Sequence, residues 1–186
     1  MRRFVLSLAA VAALAVVPAQ AAAQTLADRF DDICLKTGAD PAKVVAKARE
    51  LGFAPFEAPA AANLQEVEGF NKLIDGKPWV IVAAKGNSPA AGAVPAQTMR
   101  ACNVSGPDAE NASVKAIGQK IGKPDLGAPG QEMYFFTEQN GVRTALNPAD
   151  NNATMAALNS RGFWIILIMT EGEIRSVSII HSVASK

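Results

Sequence analysis

Histidine and cysteine are scarce in this 186-residue sequence, which contains one histidine, His181, and two cysteines, Cys34 and Cys102. A zinc site usually needs several histidine and cysteine ligands close together, so this composition argues against one. A Ser-His-Asp triad would need His181 as its base, and no Gly-x-Ser-x-Gly turn singles out a partner serine. The sequence therefore predicts no catalytic residue and no metal ligand, and His181 is interpreted as a structural or surface histidine.

Glycine-rich phosphate loops and an excess of positive charge are also missing. The glycines between Gly118 and Gly130 follow neither the P-loop order nor the dinucleotide-binding order. The formal net charge is +1, which gives no general attraction to nucleic acid or anionic lipid. These absences predict a protein without a cofactor and without a nucleic-acid partner.

The first residues have the layout of a secretory signal peptide. Arg2 and Arg3 precede an apolar run over residues 4–17, and two Ala-x-Ala patterns follow, ending at Ala21 and Ala23. The apolar run is shorter than the roughly 20 residues that a membrane-spanning helix needs. We expect residues 1–23 to be removed on export. Residues 24–186 are then predicted to form a single periplasmic or secreted domain with no membrane span.

The two cysteines form an even pair, and an oxidising compartment favours a disulfide between Cys34 and Cys102. The alternative is two separate buried thiols. A catalytic thiol is not favoured, because the pair is not a Cys-x-x-Cys motif and His181 lies far away in the sequence.

Two helices are predicted at the start of residues 24–186. Apolar residues recur at helical spacing from Leu26 to Cys34, so the Cys34 side chain is expected to face the core. Asp40 and Pro41 are typical of the N-cap and first turn of a second helix, which ends before Gly52. A third helix is predicted over residues 107–121, and residues 147–160 are ambiguous but compatible with a short helix.

Six segments are predicted to be β-strands, at residues 78–84, 97–104, 133–139, 142–146, 163–169 and 174–181. Asn140-Gly141 is typical of a type I′ hairpin turn, which would place Glu138 opposite Arg143. Residues 54–63 and 85–95 are rich in alanine, glycine and proline and are predicted to be loops. The predicted fold class is α+β, with two N-terminal helices, then a mainly antiparallel sheet of about six strands and one crossing helix.

The last predicted hairpin has two distinct faces. A turn at Glu171-Gly172 would pair Trp164 with Ile179 on a face that is apolar on both strands, so we expect that face to be core. The other face is apolar along one strand and dotted with serine along the other. We therefore expect either the N-terminal helices or a partner to cover the second face.

The two cysteine segments carry a resemblance to a group of proteins. Residues 33–37 read Ile-Cys-Leu-Lys-Thr, residues 99–104 read Met-Arg-Ala-Cys-Asn-Val, and Pro107-Asp108 follows. This combination resembles small exported proteobacterial proteins with two cysteines and no assigned activity. The resemblance implies a Cys34–Cys102 disulfide and a periplasmic location, and it implies no catalytic residue.

The leading functional hypothesis is a non-enzymatic envelope protein that binds a partner or a small ligand. The alternatives are a periplasmic hydrolase with an unrecognised site and an assembly or stability factor for other envelope components. A concave pocket with convergent polar groups around His181 would favour the enzyme. A flat apolar patch of several hundred Å² would favour the binding module.

Overall fold

The computed structural model describes residues 24–59, 63–108, 116–118, 121, 126–128 and 130–185. The predicted signal segment lies outside them. Helix α1 (Leu26–Phe30) continues into a π-helical turn at Asp31–Leu35, and α2 (Pro41–Glu50) and α3 (Asn151–Ser160) are longer. Residues 116–118 and 121 are also helical. Both predicted N-terminal helices are confirmed, and Asp40 caps α2 by accepting a hydrogen bond from the Lys43 amide at 3.1 Å.

All strand pairs in the described residues are antiparallel and belong to one nine-stranded sheet. The strands are β1 (Ala54–Phe56), β2 (Leu64–Ile74), β3 (Lys77–Ser88), β4 (Gln97–Pro107), β5 (Leu126–Ala128), β6 (Gln131–Gln139), β7 (Val142–Ala145), β8 (Phe163–Glu171) and β9 (Ile174–Ala184). Their order is β1-β2-β3-β4-β9-β8-β6-β5, and β7 pairs with β6. The α+β class is therefore confirmed.

The predicted number of about six strands is too low, because β1, β2 and β5 were not predicted. Strand β2 contains several charged and amide residues, and its Gly69 has no side chain to contribute to an apolar pattern. Gly69 is nevertheless buried, because the Phe56 ring of β1 packs over it. Asp75-Gly76, with φ angles of 52° and 73°, forms the turn to β3. This dipeptide is a type I′ signal as strong as Asn140-Gly141.

Two predicted boundaries are also wrong. The loop predicted at residues 85–95 begins later, because β3 pairs with β2 as far as Gly86 and with β4 as far as Ser88. The third helix does not start at Pro107, because Pro107 pairs with Ile174 at the end of β4. Much of that predicted helix lies outside the described residues. The loop predicted at residues 54–63 contains strand β1. The short helix with which residues 147–160 were expected to be compatible is present as α3.

The two predicted hairpins differ in how well their register was predicted. Asn140 and Gly141 have φ angles of 52° and 77°, and Glu138 pairs with Arg143 through a 2.9 Å ion pair, as predicted. In the last hairpin the pairing is shifted by two residues, so that Ile166 rather than Trp164 faces Ile179. The cause is a turn at residues 172–173, with Gly172 in the first central position at φ 61°.

A shift of two residues preserves the faces of a sheet, and one face is core as predicted. Phe30 of α1 packs into a single cluster with Ile81, Val104, Ile166 and Val177 of the central strands, all of them buried. Burial of each such side chain contributes about 1.5–3 kcal/mol. We call this side of the sheet, which carries α1 and α2, the helix-bearing face.

The opposite side of the sheet, here called the open face, is only partly covered. The prediction that the N-terminal helices or a partner would cover it is wrong for its β8 end, where α3 packs instead. Leu158 of α3 lies in a second buried cluster with Leu146 and Phe163, and the half-buried Ile165 packs against that cluster. The N-terminal helices occupy the helix-bearing face.

Cys34 and Cys102 form a disulfide with a Cα–Cα distance of 5.5 Å. Both residues are fully buried. The bond joins the π-helical turn after α1 to the middle of β4, so it ties the helical segment to the sheet. A buried disulfide is compatible with an oxidising compartment outside the cytoplasm.

Candidate functional site

A cavity of about 410 Å³ lies on the helix-bearing face, beside the first turn of α2. Its lining comes from α2 and four strands: Asp40, Pro41, Ala42, Glu66, Lys85, Thr98, Met99, Arg100, His181 and Val183. The volume falls in the range of about 300–1,000 Å³ that is usual for small-molecule sites. The cavity is therefore large enough for an organic ligand.

Two of the lining residues, Arg100 and His181, contact the ring of Trp164 on a neighbouring strand. Arg100 of β4 pairs with His181 of β9, which pairs in turn with Trp164 of β8. The His181 ring lies 4.3 Å from the Trp164 ring, and the Arg100 guanidinium lies over Trp164 at 5.3 Å. A guanidinium on an aromatic face is held by cation–π attraction, so Trp164 fixes the position of the Arg100 fork.

Arg100 has an unfilled donor. Its Nε is buried without a hydrogen-bond partner, and within the described residues its guanidinium makes no ion pair. Leaving a buried donor without a partner costs about 1–3 kcal/mol, and more for a charged group. Arg100 also lines the cavity, so a ligand anion bound there would supply the ion pair that Arg100 lacks among the described residues.

The other charges around the cavity are already engaged. Lys85 Nζ lies 3.5 Å from Glu66 Oε1 in an exposed ion pair. The Asp40 carboxylate accepts the Lys43 amide at the start of α2 and opposes the positive end of the helix dipole. Of the two cationic side chains that line the cavity, Lys85 and Arg100, only Arg100 makes no ion pair within the described residues.

The imidazole of His181 is held at its outer edge. Its Nε2 lies 3.1 Å from the Arg161 carbonyl oxygen. Gly162 adopts φ 81°, and a Cβ at that position would lie 2.8 Å from His181 Nε2 and would overlap the Ser182 carbonyl oxygen. Burial lowers the pKa of His181, the charge of Arg100 lowers it further, and the hydrogen bond to Arg161 acts in the opposite direction.

We expect His181 to make folding stability depend on pH. Because its pKa is lower in the folded chain, the unfolded chain binds the proton more readily. Stability should therefore fall as the pH drops through the unfolded value of about 6.5. When the pH is lowered from about 7.5 to about 5, the free energy of unfolding measured in urea should fall less for His181→Asn than for the wild type. An equal or larger loss in the variant would contradict this account of His181.

The cavity has convergent polar groups but no arrangement typical of a hydrolase in the described part of the chain. The one hydrogen bond described for His181 is to a backbone oxygen, and the Thr98 hydroxyl lies 3.2 Å from Ser185 Oγ. A histidine base would need a nucleophile within hydrogen-bond reach. Among the same residues, no group of three or more His, Cys, Asp or Glu side chains could hold a metal ion. None of the described helices has the length and hydropathy to cross a bilayer.

Sequence reasoning placed Cys34 next to the core and paired it with Cys102, but it missed the cavity. Lys85 was assigned to a loop, no role was predicted for Arg100, and His181 was interpreted as a structural or surface histidine. Arg100 and His181 are 81 positions apart (181 minus 100), and only the β4–β9 register brings them together. No local motif could have signalled this juxtaposition.

Comparisons with known proteins give no family for the chain: no protein-family model matches it, and neither a curated protein nor a solved structure does.

Proposed function

We propose that this chain is an exported, non-enzymatic binding module and that its ligand is a small organic monocarboxylate held by Arg100. The predicted signal segment supports export, and the buried disulfide is compatible with it. One observation carries the choice of ligand: Arg100 lines a cavity of about 410 Å³ and makes no ion pair within the described residues. The planar guanidinium fork matches the two oxygens of a carboxylate.

The charge balance favours a single negative charge on the ligand. Lys85 is neutralised by Glu66, and Asp40 adds a negative charge at the start of α2. A dianion such as phosphate would bring a second charge close to these carboxylates, and no unpaired cation remains to meet it. A monocarboxylate needs only Arg100.

The rest of the lining favours an uncharged, partly apolar ligand body. Pro41, Ala42 and Val183 contribute apolar surface around the mouth of the cavity. Small-molecule sites commonly combine such walls with a few polar groups that orient the ligand. A short-chain or aromatic carboxylate has this combination of a charged head and an apolar body.

A hydrolase remains the alternative, because polar groups converge around His181. The binding role is better supported, since His181 Nε2 is engaged by the Arg161 carbonyl and not by a hydroxyl group. An assembly or stability factor for envelope components has no specific observation in its favour.

The proposal is tested by titrating the exported chain with benzoate and, separately, with inorganic phosphate. We expect calorimetry to detect benzoate binding that Arg100→Met weakens roughly tenfold to a hundredfold, because a charge-assisted hydrogen bond contributes about 1.5–3 kcal/mol. Methionine retains the apolar stem over Trp164. The matched control is Arg49→Met, because Arg49 is an exposed arginine on α2 that pairs at 4.0 Å with Glu68 outside the cavity.

Equal benzoate affinity in wild type and Arg100→Met would refute the proposed ligand site. Tighter binding of phosphate than of benzoate would refute the monocarboxylate. Hydrolysis of p-nitrophenyl acetate that is lost in His181→Asn would support the hydrolase instead.

A further inference from the structure

The open face is almost devoid of charge. The side chains of β3, β4, β9, β8 and β6 that point away from α1 and α2 include a single charged residue, Glu171, at the end of the last hairpin. The sequence as a whole has 35 charged side chains, 18 basic and 17 acidic. Half-buried or exposed apolar residues occupy this face instead: Val80, Val82, Leu167, Met169, Ile174 and Ile180.

The polar groups at the centre of the open face are satisfied internally. Asn103 Nδ2 donates to Ser176 Oγ at 2.6 Å and to Ser178 Oγ at 2.9 Å, and Asn103 Oδ1 accepts from Ser105 Oγ at 2.9 Å. Covering a polar group is costly mainly when it loses its hydrogen-bond partner. Because this cluster keeps its own partners, it can be removed from water at low cost.

Helix α3 extends the uncharged surface. It stands on the open face, and none of its ten residues, Asn151–Ser160, is charged. A helix that stays solvated usually has charged residues on its outer side. Both the sheet and the one helix described on this side therefore have the composition of a surface that becomes covered.

We infer that the open face is an interface with a second copy of this chain, formed by packing two open faces against each other. In a two-fold interface the same patch meets itself, so each charge near the axis would lie close to an identical charge. A partner of a different kind could place an opposite charge against each charge of this face. A face that pairs with itself avoids repulsion between identical charges when it carries none. The five strands present no basic side chain on this face and a single acidic one, Glu171 at its edge, and this near absence of charge is what singles out a second copy.

The size of the face is adequate for this role. Five neighbouring strands, β3, β4, β9, β8 and β6, spaced about 4.8 Å apart, span about 19 Å, and seven residues along each strand span about 23 Å. The sheet plane alone therefore offers roughly 440 Å², and side-chain relief and the outer surface of α3 add to it. A standard interface buries about 800 Å² on each partner. A depression of about 530 Å³ beside Met169 and Ser176 gives this face a shape that a partner can fill.

The inference is independent of the proposed ligand site. The Arg100 cavity is on the helix-bearing face, so two chains joined through their open faces leave both cavities accessible. Ligand binding and association can therefore be measured separately.

The test is sedimentation equilibrium of the purified exported chain from about 1 to 100 µM, a range that covers the weak end of interfaces of this size. We expect a dimer whose dissociation constant rises at least tenfold in Ser178→Arg and in Leu167→Lys. Both substitutions place a charge on half-exposed positions of the open face, so the fold should persist. Ala46→Arg is the control, because Ala46 is exposed on α2 on the other side of the sheet.

Circular dichroism shows whether each variant is folded. If one of the two variants does not fold, the comparison with the wild type uses the other variant. A wild-type chain that is monomeric at the highest concentration would overturn the inference, as would a dimer unaffected by both substitutions. Binding of the monomer to phosphatidylcholine vesicles, lost in Leu167→Lys, would overturn it in favour of a lipid-covered face.

Discussion

Replacing Cys34 and Cys102 together by alanine should lower the free energy of unfolding by about 2–5 kcal/mol. The disulfide closes a sequence separation of 68 residues, for which the chain-entropy relation gives roughly 4 kcal/mol. Alanine is chosen because both positions are fully buried, and a serine hydroxyl there would add its own desolvation cost. Urea unfolding of the variant and the wild type measures the difference.

The loss should begin in the helical segment. The disulfide joins the π-helical turn to β4, whereas the strands from β2 to β6 are held together by backbone hydrogen bonds that do not depend on the disulfide. Hydrogen exchange should accelerate first in residues 26–35 and last in β4, β8 and β9. Thiol titration of the denatured wild-type chain is the control. Two free thiols per chain, or a double variant as stable as the wild type, would refute the role of the bond.

Gly162→Ala should be among the most destabilising single substitutions, costing on the order of 3 kcal/mol. Its φ of 81° disfavours any side chain, and the added Cβ would overlap the Ser182 carbonyl and crowd His181 Nε2. Left-handed strain contributes about 1–2 kcal/mol and overpacking about 1–3 kcal/mol. Unfolding by urea gives the loss, and the chemical shifts of the His181 ring report its displacement.

Gly141→Ala is the matched control for this substitution. Gly141 has a similar φ of 77°, but a Cβ there would meet nothing within 4 Å. It should therefore cost only the left-handed strain, about 1–2 kcal/mol, and leave the His181 signals unchanged. If the two glycine variants lose the same stability, contact with the β9 backbone is not what constrains Gly162.

Sequence reasoning succeeded where the information is local. Asn140-Gly141 fixed a hairpin and the Glu138–Arg143 pair because a type I′ turn requires two positive φ angles and therefore sets the register. Capping by Asp40 likewise placed α2. Both signals lie within a few residues of the structure that they determine.

It failed where burial comes from distant parts of the chain. Gly69 is buried by Phe56 and not by its own side chain, so β2 has no periodic apolar pattern. In the last hairpin the faces were correct, but the turn was assigned one residue too early, which shifts the pairing by two. The Arg100 cavity is lined by residues of four strands and of one helix terminus, and these residues come together only when the sheet has formed.

The central claim is that Arg100 is a ligand-binding cation, and the most direct test follows its own Nε–H signal by nuclear magnetic resonance. On addition of benzoate, the Arg100 Nε–H resonance should shift and saturate with the dissociation constant found by calorimetry, because a carboxylate paired with the guanidinium changes the electronic environment of Nε–H. The Arg49 resonance, outside the cavity, should remain in place. If benzoate leaves the Arg100 Nε–H resonance unchanged, or shifts Arg49 and Arg100 alike without saturation, the cavity is not the binding site.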